Sequence, residues 1–79
     1  MRVRVKLFAT LVRHMPDAES GMPFEVTLDH RATVCDLTDY LGLPHDQLKV
    51  AFVNGRARPL DWRLEQRDEV GLFPPIGGG

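Results

Sequence analysis

Residues 2–9 alternate in type, with Arg2, Arg4 and Lys6 on one side and Val3, Val5, Leu7 and Ala9 on the other. That two-residue period is the signature of a strand with one face buried and one face in water. Such a strand is stable only within a sheet that covers its apolar side. Phe8 breaks the pattern and places an aromatic ring on the polar face. A second alternation runs over residues 23–29, with Phe24, Val26 and Leu28 on one face and Glu25, Thr27 and Asp29 on the other. The two strands predict a hairpin with a long connection: a short helical turn over 10–15 ahead of Pro16, then a loop over 16–22.

A helix follows. Thr33 is its expected N-cap, and Asp36, three residues on, has the spacing of a capping box and a charge suited to the positive end of the helix dipole. Val34, Leu37 and Leu41, with Thr38 beside them, make one apolar stripe. Gly42 and Pro44 predict the stop, for a helix of about ten residues. Residues 49–54 (KVAFVN) read as the third strand, and Asn54-Gly55 is a strong two-residue hairpin signal. Residues 57–60 make a short return strand, where Pro59 argues for a sheet edge. The chain then crosses the sheet over 61–68, with Trp62 and Leu64 as the expected plugs. Residues 69–73 (EVGLF) form the last strand, Val70 and Leu72 inward and Phe73 outward, ended by Pro74 and Pro75.

Composition limits what such a chain does. Its 79 residues make one domain with a small core. Ten basic and eleven acidic side chains leave a formal charge of −1, so no net field recruits nucleic acid or an anionic membrane. One cysteine excludes an internal disulfide and a cysteine-built zinc site. No apolar run is long enough for a bilayer span, and the first residues lack the pattern of a signal peptide. A protein of the reducing cytoplasm is the expectation.

Catalytic side chains are hard to find. His14, His30 and His45 fall in or beside loops and have no helical metal-ligand spacing with another ligand type. Cys35 sits at the helix start, where the dipole lowers a thiol's pKa. No base for it can be identified, so it reads as an incidental thiol. No phosphate-binding glycine loop is present, and Asp36, Asp39, Asp61 and Glu65 are better read as caps and solvated faces. The chain is not expected to be an enzyme by itself.

The end, Phe73-Pro74-Pro75-Ile76-Gly77-Gly78-Gly79, has more to say. Two prolines make a stiff extended exit. Three glycines can thread a narrow channel and adopt backbone angles closed to other residues. They present a carboxylate on Gly79 without a bulky neighbour. A carboxylate is a poor electrophile until an anhydride, such as an adenylate, is made of it.

The order strand, strand, helix, strand, short strand, strand matches the ubiquitin-like β-grasp: an α+β fold with a mixed sheet of about five strands and one main helix across one face. With the stretch L-E-Q-R-D-E-V-G-L-F over 64–73 and the end F-P-P-I-G-G-G, the chain resembles the small sulfur-carrier proteins. These are the small subunit of molybdopterin synthase and the thiamine-pathway carrier. Where that family usually has a Gly-Asp pair before the last strand, Arg67-Asp68 stands here.

The resemblance implies a β-grasp domain over 1–73 and a flexible tail over 74–79. It implies that an ATP-dependent activating enzyme, using ATP and Mg, adenylates Gly79, and that sulfur then replaces AMP to leave a thiocarboxylate. Pro74, Pro75, Ile76, Gly77 and Gly78 would thread the partner's active site. The carrier itself would bind no cofactor and no metal. The sulfur acceptor would be an enzyme such as the large subunit of molybdopterin synthase, docked on an apolar patch of Phe8, Phe73 and Leu60. The Phe-Pro-Pro end and the 10–22 insert favour the molybdopterin branch, while Asn54-Gly55 and the Trp62 crossing resemble the thiamine carriers equally well. A ubiquitin-like modifier, joined through Gly79 to a lysine, begins from the same adenylate. An interaction module with an inert tail is the plainest alternative.

Overall fold

The computed structural model describes residues 1–15, 19–44, 48 and 50–74. Their strands are β1 (Arg2–Leu7), β2 (Phe24–Thr27), β3 (Val50–Val53), β4 (Arg56–Pro59) and β5 (Glu69–Leu72), and the helix α1 spans Val34–Leu41. The five strands form one sheet in the order β2-β1-β5-β3-β4. β1 and β5 run parallel at its centre, and the other three pairings are antiparallel. With one helix across one face, this is the expected β-grasp.

Alternation decides which face is which. Val3, Val5, Leu7, Val26, Ala51, Val53, Val70 and Leu72 are buried on one side of the sheet, and Val34, Leu37 and Leu41 of α1 close over them. The Thr33 hydroxyl accepts from the Asp36 N–H and the Asp36 carboxylate accepts from the Thr33 N–H, which completes the capping box. Gly42 ends α1 with φ 72°, a left-handed angle that glycine adopts without strain. The helix proper has eight residues, so the longer expectation counted both caps.

The connection after β1 contributes more than a turn. Ala9–His14 is a 3₁₀ helix that buries Leu11 completely, with Val12 and Met15 packed against the core. The crossing after β4 departs from expectation. Leu64 plugs the core at 1% exposed, but Trp62 is 38% exposed and lies outside it. Arg58 accounts for this, since its guanidinium carbon sits 4.1 Å from the indole centroid, a surface cation–π contact.

Two tight turns set the start of β5. Asn54 (φ 52°) and Gly55 (φ 82°) supply the pair of positive angles that the β3–β4 hairpin needs. The Asn54 side chain donates to Asp68 Oδ1 at 2.8 Å and accepts from the Glu69 N–H at 2.9 Å. Asp68 Oδ2 accepts from the Glu65 N–H at 2.8 Å, so this buried carboxylate ties both turns together. Next to it Arg67 holds φ 69°, the angle that favours the glycine it replaces. Relief of that backbone conformation should outweigh glycine's extra chain entropy. Arg67→Gly is expected to raise stability by about 0.5–1 kcal/mol, read as a shift in the urea midpoint at unchanged slope.

Candidate functional site: an aromatic face beside the tail

The outer face of the sheet, away from α1, has two different ends. At one end charged side chains ladder across the strands, with Arg2–Glu25 at 3.7 Å and Arg4–Glu69 at 3.6 Å. Exposed pairs of this kind contribute little stability, about 1 kcal/mol at most, and leave the surface well solvated. At the other end, where β5 runs out, the surface turns aromatic.

Register builds that aromatic end. Parallel pairing sets Lys6 opposite Gly71 and Leu7 opposite Leu72, so the next residues, Phe8 and Phe73, come side by side. Their rings stack with centroids 4.3 Å apart and planes 3° from parallel. On the other flank β3 sets Phe52 opposite Gly71, and the Phe52 ring meets Phe73 edge-on at 5.3 Å and 81°. Phe73 is 38% exposed and Phe52 40%, while Phe8 is half-buried. Gly71 is the floor: a Cβ there would lie 3.5 Å from the Phe73 ring, 3.6 Å from the Phe8 ring and 3.9 Å from Phe52 Cβ. A methyl group would fit in ordinary contact, whereas a larger side chain would have to part the rings.

Phe8 and Phe73 therefore meet on the outer face, as their positions in the two alternations suggest. Leu60 does not join them. It is half-buried and packed against the core, and its carbonyl accepts from the Cys35 N–H at 2.7 Å, so it belongs with the helix. Phe52 was missed by sequence reasoning, although the signal was available: Ala51 and Val53 point inward, so Phe52 points outward. Pro74 is half-buried directly after the triad, while Pro75, Ile76, Gly77, Gly78 and Gly79 lie outside the described residues.

At Cys35 the helix dipole does not prevail. The thiol pKa is raised, first by burial and then by the negative charges of Asp39 and Asp36, against the lowering that a helix start alone would give. A raised pKa means less thiolate at neutral pH. Alkylation by iodoacetamide should be slower than for an unperturbed thiol at pH 7, with its half-maximal rate displaced to higher pH. Among the described residues no cluster of three or more His, Cys, Asp or Glu is placed to hold a metal ion. No described helix is long and apolar enough to cross a membrane.

Comparison with solved structures gives close matches along the chain. Small archaeal modifier protein 1 of Haloferax volcanii is 30% identical, with 100% of each chain covered and a TM-score of 0.71. A Pyrococcus furiosus protein assigned as molybdopterin converting factor, subunit 1, is 28% identical over 96% of this chain and 99% of that one, with a TM-score of 0.71. The HVO 2177 protein of Haloferax volcanii is 25% identical over 100% of this chain and 87% of its own, with a TM-score of 0.78. Comparison with curated proteins by sequence gives no match. Residues 1–76 match the family model described as Mut7-C ubiquitin. With that match spanning nearly the whole β-grasp chain, the protein belongs to the Mut7-C ubiquitin family, a ubiquitin-related relative of the sulfur-carrier group.

Proposed function

We propose that the protein is a sulfur carrier of the molybdopterin-synthase type, with Gly79 as its reacting residue. The observation that carries the reading is the glycine-rich end standing directly after the Phe8–Phe52–Phe73 triad. A partner that grips the triad thereby holds the start of the segment that its active site must receive. Likeness to a molybdopterin converting factor subunit over nearly all of both chains supports the acceptor class. The chemistry divides cleanly between carrier and partners. A Gly79 carboxylate oxygen attacks the α-phosphorus of ATP on an activating enzyme and releases pyrophosphate. Sulfide then adds to the acyl carbon and expels AMP, which leaves the thiocarboxylate. An acceptor enzyme supplies the catalytic side chains for onward transfer.

The likeness to a small archaeal modifier over both full chains supports a second fate for the same adenylate: an isopeptide bond to a lysine of another protein. One experiment separates the outcomes. The protein is incubated with an activating enzyme, ATP and sulfide, and its intact mass is measured. Exchange of one oxygen for sulfur is the expected result. Formation of an adenylate that accumulates only as lysine adducts in host extract would favour the modifier, and an unreacted chain would overturn both.

A further inference from the structure

Among the described residues β4 is the last strand of its sheet and has a neighbour on one side only. Its register opposite Val53 and Ala51 puts Arg56 and Arg58 on the helix side, the reverse of the face that carries the phenylalanines. Two positions apart on one strand, their side chains repeat at about 6.7 Å, the pitch at which an adjoining extended chain presents its own alternate side chains. Trp62 lies under Arg58, and Arg63 follows it, bridged to Thr33. With Asn54 and Glu65 these side chains line an open groove of about 270 Å³.

Arginines on an edge strand have a plain structural role, since they discourage pairing with other sheets. Two observations go beyond it. Among the described residues the ion pairs are made by Arg2 and Arg4, and none reaches Arg56, Arg58 or Arg63. Asp68, the buried carboxylate of the groove, is already engaged by Asn54 and the Glu65 N–H. The guanidinium of Arg58 is also held against a ring that is itself 38% exposed. A charged group ordered in advance loses less entropy when a partner arrives.

We propose that this edge is a docking surface for an extended acidic segment of a partner protein. Alternate Asp or Glu side chains would meet Arg56 and Arg58, and Trp62 would form the apolar wall. A planar guanidinium donates two parallel hydrogen bonds to one carboxylate, so each arginine can hold one acidic side chain. Glu65 on the groove wall disfavours the contiguous charge of a polyphosphate more than the spaced carboxylates of a peptide. The surface lies on the opposite face from the phenylalanine triad, so an acidic partner and a tail-processing partner can be held together. The inference stands independently of the sulfur-carrier reading.

Trp62 is the one tryptophan of the chain, so its emission reports directly on the groove. A short peptide of alternating Glu and Thr, titrated at low ionic strength, should give a saturable change in emission. Its affinity should fall about tenfold in Arg58→Glu and in Arg56→Glu, and stay within about twofold in Arg31→Glu, which makes the same charge change elsewhere. Thermal melts of each variant confirm folding, and the exposed Arg56 decides the matter if Arg58→Glu loses its fold. Absence of a saturable signal, or equal losses in all three variants, would overturn the proposal. Tighter binding of a short oligothymidylate than of the peptide would overturn it in favour of a nucleic-acid surface.

Discussion

Deletion of Gly78 and Gly79 should abolish the sulfur-dependent mass increase completely while leaving the melting temperature of the domain unchanged. Among the described residues the buried cluster runs from Val3 to Leu72, a core closed by β1, β5 and α1. Loss of activity without loss of fold is therefore the signature of a reacting tail. The truncated protein should still bind the acidic peptide at Trp62, so failure at the tail and failure at the β4 edge can be told apart. Retention of sulfur transfer by the truncated chain would remove Gly79 from the mechanism. A fall in melting temperature would instead mean that the tail packs on the domain.

Two adjacent residues should give opposite results. Leu72 is fully buried, paired with Leu7 on β1 and Ala51 on β3. Leu72→Ala is expected to cost about 2–5 kcal/mol, because the cavity lies at the centre of the sheet and cannot collapse easily. Against a total stability of about 5–15 kcal/mol, a domain of this size should melt on the order of 15 °C lower. Phe73→Ala removes the stack with Phe8 and the edge contact with Phe52, each worth about 0.5–1.5 kcal/mol, together with the apolar area those rings cover. Its melting temperature should fall less than that of Leu72→Ala, while affinity for the acceptor enzyme falls at least about tenfold, as for an exposed aromatic anchor. Thermal melts and titration calorimetry on the two variants check both halves. A Phe73→Ala protein that melts as low as Leu72→Ala would place Phe73 in the core and remove the triad as a docking site.

Much of the fold is legible in the sequence alone. The alternations around Val3–Val5–Leu7 and Val70–Leu72 correctly assign the buried face, and Thr33 with Asp36 correctly marks the helix start. Asn54-Gly55 correctly marks the hairpin, and Pro59 correctly marks an edge strand. The outward placing of Phe8 and Phe73 follows from the same parity. The misplaced residues have separate physical causes. Trp62 reads as a plug because large aromatic side chains are usually buried, but Arg58 offers its ring a partner at the surface. Leu60 enters the patch through the family resemblance, yet it packs against the core and its carbonyl meets the Cys35 N–H of α1. At Cys35, read as an incidental thiol, burial and the fields of Asp39 and Asp36 outweigh the helix dipole.

By itself the sequence determined what depends on near neighbours: strand faces, both ends of the helix and the tight turn. Those features are set by backbone preferences and hydrogen bonds that span only a few residues, so they can be read locally. Only the tertiary structure decided what depends on partners far apart in the chain. Pairing of β5 with both β1 and β3 gathers Phe8, Phe52 and Phe73 over Gly71, and the crossing after β4 lays Trp62 against Arg58. Register between distant strands is a property of the packed sheet, and a shift of one residue would turn each of those rings to the other face.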